Sequence, residues 1–290
     1  MRFTNSHNLP QPIFEALCND DYEHIGDISV TGLIKPPLMR QLEQRHAYEI
    51  VEDATDRIWM VLGSAVHSII ERHGQQNRLV EERLTAKVYG WEVSGKPDLL
   101  DADGTLTDYK VTSVFSFLLG DKPEWEAQLN CYAWLYQQHG FDVKRLQIVA
   151  ILRDWVKRRA AVEAGYPQCG ILVAPTPLWH GTETTDFIER RVALHQSAEE
   201  TETENIALCT PRERWEKPTT WAVKKRGNKR ALPGGVCDTL GQAEKVAASK
   251  PHPCEIEKRP GECVRCVHYC NVARFCPFGK QFVAGKEDAA

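Results

Sequence analysis

Two aspartates and a lysine are the residues whose types and spacing could do chemistry. The run Gly95-Lys96-Pro97-Asp98-Leu99-Leu100-Asp101 is followed by Asp103-Gly104 and then Thr105-Leu106-Thr107-Asp108-Tyr109-Lys110. Asp108 and Lys110 are two apart, so on a strand both side chains face the same way. Pairing across the Asp103-Gly104 turn would bring Asp98 opposite that face. Two carboxylates held together repel unless a cation lies between them, and hard oxygen ligands favour Mg²⁺ or Mn²⁺ over zinc. A lysine beside such a site could orient water and offset charge growing on a phosphate. The chemistry suggested is metal-assisted phosphodiester hydrolysis.

The surrounding elements must place these groups. Between Glu52 and His73 the residues Ile58, Trp59, Leu62, Ala65, Val66, Ile69 and Ile70 recur at helical spacing, which predicts a helix carrying His67. Strand-like runs come next, at Leu79 to Val88, Trp91 to Leu100 and Leu106 to Val111. The Asp-Gly pair before the last of them is a hairpin signal. Pro123 suits a first helical position and Gly140 a stop, which predicts a helix through Trp125, Leu129, Tyr132 and Tyr136. Leu146 to Leu152 reads as a buried strand. Helix, three strands, helix, strand is the order of an α/β unit built on a mixed central sheet flanked by helices.

This run resembles the core of the PD-(D/E)XK nuclease superfamily, the restriction-endonuclease-like α/β fold, with Pro97-Asp98 and Asp108-Tyr109-Lys110 as the two halves of its motif. Gln128 and Tyr132, one helical turn apart, resemble the Gln-x-x-x-Tyr of its RecB-type exonuclease branch. His67, in Gly63-x-x-x-His67, resembles that branch's additional metal ligand. The matching stretch runs from about Asp56 to Trp155. The resemblance implies that His67, Asp98, Asp108 and the Tyr109 carbonyl hold one or two Mg²⁺ or Mn²⁺ ions. Lys110 would position water for in-line attack, and Gln128 and Tyr132 would orient Lys110 or touch the phosphate. An acid at Glu81 or Glu82, with Glu82 preferred by strand alternation, is a weaker candidate of the same kind.

The chain has 290 residues, 42% hydrophobic and 26% charged, with a net charge of −4, the balance of a globular chain with a sizeable core. No run approaches the roughly 18 apolar residues of a membrane span, and the N-terminus lacks a secretion signal, so a cytoplasmic protein of a prokaryote or phage-infected host, with no membrane partner, is expected. The net charge excludes an indiscriminate polycation, but its distribution is uneven. Fifteen Lys and Arg against seven acids lie between Cys209 and Phe282, including Lys224-Lys225-Arg226, Lys229-Arg230 and Arg265. These suit phosphate contacts that track a strand without reading sequence.

Five of the ten cysteines, Cys254, Cys263, Cys266, Cys270 and Cys276, fall close together near the C-terminus. Without a secretion signal such clustering favours metal ligation, either Cys₄ zinc or iron–sulfur. Several RecB-type nucleases close their domain with a [4Fe–4S] cluster, and the resemblance leans that way, with Zn²⁺ the alternative. Cys266, Cys270 and Cys276 are the expected ligands, with Cys209 or Cys263 fourth. The family's distant cysteine precedes the core, where this chain offers only Cys18, in a poorly matching context.

The expected organisation is an irregular lead-in over residues 1–50 packing on the core, a nuclease core over 51–175, a helical and basic region over 176–250 and a Cys-rich segment over 251–290. Helices are predicted from Thr185 to Glu199 and near Leu240 to Ala248. The resemblance implies a metal-dependent deoxyribonuclease, an exonuclease working on single strands or duplex ends. The chain carries no Gly-x-x-x-x-Gly-Lys-Ser/Thr loop, so such an enzyme would rely on free ends or on a helicase or recombination partner. The rival readings are a catalytically inactive DNA-binding scaffold and a zinc-ribbon nucleic-acid binder.

Overall fold

The computed structural model describes residues 1–19, 25–73, 79–80, 82–120 and 122–283. Two compact units emerge, one from Met1–Lys35 with Tyr48–Thr201, the other from Pro36–Ala47 with Glu202–Ala290. These boundaries differ from those that composition suggests. Residues 36–47 pack by side-chain contacts made far along the chain, such as His46 stacked on Phe275 at 3.9 Å and Arg45 on Thr203.

The first unit is built on a five-stranded mixed sheet in the order Ile171–Thr176, Arg145–Leu152, Thr105–Thr112, Leu99–Leu100, Leu79–Val80. Thr105–Thr112 and Arg145–Leu152 run parallel, and the helix Pro123–Gln138 lies between them in the chain, as a parallel crossover requires. Leu146, Ile148, Ala150 and Leu152 are the buried alternate positions of their strand. The helix is buried from Ala127 through Tyr136 without a break, so it is a core helix rather than an amphipathic one. The chain is thus a mixed α/β protein with sheets flanked by helices.

Several expectations are corrected. The helix predicted from Glu52 opens as a 3₁₀ turn, Ala54–Arg57, where Asp53 accepts from the Thr55 N–H, and the α-helix proper is Ile58–His73. None of that helix's residues is fully buried, although many of them are apolar. The two long strands each break. Leu79–Val80 is separate from Leu84–Val88, and Trp91–Gly95 is separate from Leu99–Leu100. Pro97 has no N–H to give a ladder, so the chain leaves one sheet there and joins another. Trp91–Gly95 pairs with Leu84–Val88 and with Ile28–Ser29 in a three-stranded sheet.

The first fifty residues are therefore not an irregular lead-in. Ile28–Ser29 is a sheet strand, Ser29 caps the helix Val30–Ile34 by accepting from Gly32 N–H, and Ile28, Val30 and Leu33 enter the core. The helix predicted at Thr185 begins earlier, as Gly181–Glu200.

In the second unit the basic region folds as an antiparallel sheet, Ala231–Cys237, Thr220–Lys225, Cys254–Arg259. The helix Leu240–Ala248 opens with a Thr239/Gln242 capping box. Val223, Cys237 and Ala243 form this module's own small core. No helix among the described residues is long and apolar enough to cross a membrane.

Candidate active site

Two features bring the carboxylates together. The Asp103-Gly104 turn closes with Gly104 at φ +82°, a conformation L side chains rarely adopt, and it sets Leu99 opposite Thr107. Continuing one step from that pair puts Asp98 beside Asp108. Asp98 Oδ2 accepts the Tyr109 N–H at 2.7 Å, so the first acid is anchored to the backbone of the strand carrying the second. Gly95 lets this segment close on the Pro123–Gln138 helix, since a Cβ there would lie 2.5 Å from Leu135 Cδ1 and 2.9 Å from Tyr132 Cδ1.

His67 faces the same place. Its Nδ1 is 3.1 Å from Asp98 Oδ1 and its Nε2 is 3.2 Å from the Tyr109 carbonyl oxygen. On the neighbouring side Lys110 Nζ donates to Asp108 at 3.0 Å and to Gln128 Oε1 at 2.8 Å. Gln128 Nε2 then donates to the Tyr132 hydroxyl at 3.0 Å. The structure thus brings His67, Asp98, Tyr109, Asp108, Lys110, Gln128 and Tyr132 into one place, as two short chains of contacts joined through the consecutive residues Asp108 and Tyr109.

Asp108 is only 2% exposed, and burial pushes its carboxyl up to about 6. The Lys110 ammonium opposes this rise, and Asp98 adds to it. The rise is therefore a cost of burial that Lys110 and His67 only partly offset. Among the described residues no group of three or more His, Cys, Asp or Glu side chains is arranged to hold a metal ion as it stands. The donor types present, two carboxylates, an imidazole and a peptide carbonyl, are nonetheless those of a hard divalent cation.

Glu82 is exposed and lies outside any strand, so the alternation argument that selected it does not apply. Burial pushes the Tyr136 phenol up, and the charge of Glu82 adds to that rise. Glu81 lies outside the described residues.

In the second unit Cys209, Cys266, Cys270 and Cys276 line one cavity, enclosed by apolar residues such as Leu38, Leu42 and Phe278. Burial pushes the Cys209 thiol up to about 12 and Cys266 up to about 11, and the neighbouring thiols add to both shifts. Cys263 is buried on a short strand opposite Glu216 and is not part of the cavity wall. Cys254 sits instead beside His252, at 3.5 Å. Of the basic residues expected to track DNA, Lys224 pairs with Glu257 at 2.6 Å, Arg226 with Glu255 at 3.6 Å, and Arg265 stacks over Trp215.

Trp59 and Ser94 also border the candidate site, Trp59 being marked in the sequence only as part of a helix and Ser94 not at all. Trp59 is half-exposed under the Arg153 guanidinium, which lies 3.8 Å from its ring centroid. No local signal places either residue there, since both depend on elements distant in the chain.

No family model and no curated protein matches the chain. Among solved structures, that of SSO0001 is similar at 17% identity and a TM-score of 0.42, over 64% of this chain and 83% of that one. A phage-related exonuclease from Haemophilus somnus 129PT is similar at 12% identity and a TM-score of 0.30, over 65% of this chain and 77% of that one.

Proposed function

We propose that the chain is a Mg²⁺- or Mn²⁺-dependent deoxyribonuclease of the RecB-type PD-(D/E)XK group, an exonuclease acting on DNA ends. The carrying observation is the relay Asp108–Lys110–Gln128–Tyr132 beside Asp98 and His67. Asp98, Asp108, His67 and the Tyr109 carbonyl would hold the metal. When bound there, such an ion supplies Lewis-acid activation of water and neutralisation of charge on phosphorus.

The chain's own groups supply the rest. Lys110 places an ammonium where a phosphate oxygen gains charge or where an attacking water must be oriented. Gln128 accepts from that ammonium and donates to the Tyr132 hydroxyl, so the lysine is positioned before substrate arrives. Burial of Asp108 keeps bulk water from screening these charges.

The four cysteines that line one cavity are the candidate ligands of a [4Fe–4S] cluster, with zinc the alternative, which would serve as a structural staple for the second unit rather than as a redox catalyst. The deciding assay incubates end-labelled linear and closed circular DNA with Mg²⁺, Mn²⁺ or chelator. Release of nucleotides from linear DNA alone, abolished by chelator, is the expected result. No cleavage of either DNA with either metal would leave the inactive DNA-binding scaffold.

A further inference from the structure

The helix Ile58–His73 is apolar along much of its length, yet Trp59, Met60, Leu62 and Ile69 are all exposed. One side of it forms the wall of a groove of about 430 Å³. That lies within the roughly 300–1,000 Å³ of small-ligand sites. The groove is continuous with the candidate site, because His67 and Asp98 line it as well as Trp59, Ser64, Ser94 and Lys96.

Two of these residues have recognition capacity that the fold leaves unused. Trp59 presents a half-exposed indole with an arginine guanidinium stacked over the ring. Ser94 is fully buried, and its hydroxyl finds no hydrogen-bond partner among the described residues. Strand alternation explains its direction. Gly95 faces Leu135 and Tyr132 of the core helix, so Ser94, one residue earlier, faces the other way. A buried hydroxyl left without a partner is costly, and it is stabilised when something else supplies one.

We infer that this groove is a subsite for one unpaired nucleotide next to the scissile phosphate, its base stacked on Trp59, its sugar or base edge bonded to Ser94 and its phosphate near Lys96. The inference rests on the nuclease reading and adds to it which side chains hold the nucleotide of a single strand or opened end. A paired base has both faces covered by its neighbours in the duplex and must leave the stack before an aromatic side chain can take its place. Trp59 provides that replacement surface, with the Arg153 guanidinium over its ring.

The test uses the full-length protein and a single-stranded oligodeoxynucleotide with 2-aminopurine at its terminal position. Binding is read in chelator and cleavage in Mg²⁺. The wild type is expected to quench 2-aminopurine fluorescence and to cut the single strand faster than a duplex whose ends are cross-linked against opening. Trp59→Ala should lose the quench and raise KM roughly tenfold or more with kcat within about twofold, while Trp59→Phe keeps most of both. Ser94→Ala should raise KM without lowering the melting temperature, since the hydroxyl has no partner among the described residues to lose.

Wild-type quench and KM in Trp59→Ala, equal cutting of the cross-linked duplex, or binding confined to an oligoribonucleotide would each overturn the subsite. Cleavage unaffected by Trp59→Ala would leave the nuclease reading standing alone. Trp59-dependent quenching by a protein that cuts nothing would keep the subsite and remove the nuclease reading.

Discussion

Lys110 Nζ stands 2.8 Å from Gln128 Oε1, tying the strand that carries Asp108 to the core helix one layer away. Lys110→Ala removes the only ammonium on Asp108 that the described contacts provide, while the strand's pairing with Arg145–Leu152 is made by backbone. We expect kcat for DNA cleavage to fall by roughly 10²–10⁴-fold with the circular dichroism spectrum unchanged. Gln128→Ala frees the lysine rather than deleting it, and up to about a 10²-fold loss is expected from misplacement alone. A Gln128→Ala enzyme slower than Lys110→Ala would mean that Gln128 acts on substrate directly.

Asp108 gives a pH signature in metal-free protein. Its folded carboxyl titrates near 6, above the roughly 3.9 of an unfolded aspartate. Between those values the native state holds a proton that the unfolded chain has lost, so this group's contribution to stability falls as pH rises from about 4 to 6. Asp108→Asn, which carries no charge to bury, should remove that part of the slope and melt higher than wild type above pH 6, in chelator. Parallel melting curves for the two proteins from pH 4 to 7 would show that the acid is not charged at a cost.

Gly95→Ala tests whether the site's geometry depends on close packing. The added carbon would sit 2.5 Å from Leu135 and 2.9 Å from Tyr132, the last member of the Lys110–Gln128–Tyr132 relay. Overpacking of this kind costs about 1–3 kcal/mol. Chemical denaturation should show that loss, and kcat should fall with it as Tyr132 is displaced. A destabilised variant of unchanged kcat would separate the packing from the relay.

The parts of this site that were readable from the chain are local ones. A period of two sets Asp108 and Lys110 on one face, a period of about 3.6 stacks Gln128 on Tyr132, and Asp-Gly marks the turn between the strands. The parts that were not depend on contacts between distant residues. Pro97 ends one strand, but only the assembled sheets show that its two halves belong to different ones. The apolar residues of Ile58–His73 look like a core stripe until the groove beside them is seen. Residues 36–47 join Glu202–Ala290 through partners such as Phe275, which nothing near His46 announces.

Cys209 raises the same problem of distance, and it can be tested by single substitutions. It lines the cavity with Cys266, Cys270 and Cys276, whereas Cys263 and Cys254 lie in strands outside that wall. If the cavity holds the proposed cluster, or zinc in its place, Cys209→Ser should lose it and lower the melting temperature. Cys263→Ser and Cys254→Ser should keep the metal. Burial holds the Cys209 and Cys266 thiols well above neutral pH when metal-free, so ligation must release their protons and metal affinity should weaken as pH falls. Elemental analysis and the visible spectrum of the purified variants decide it. Full metal content in Cys209→Ser with loss in Cys263→Ser would assign the fourth ligand to the nearer cysteine.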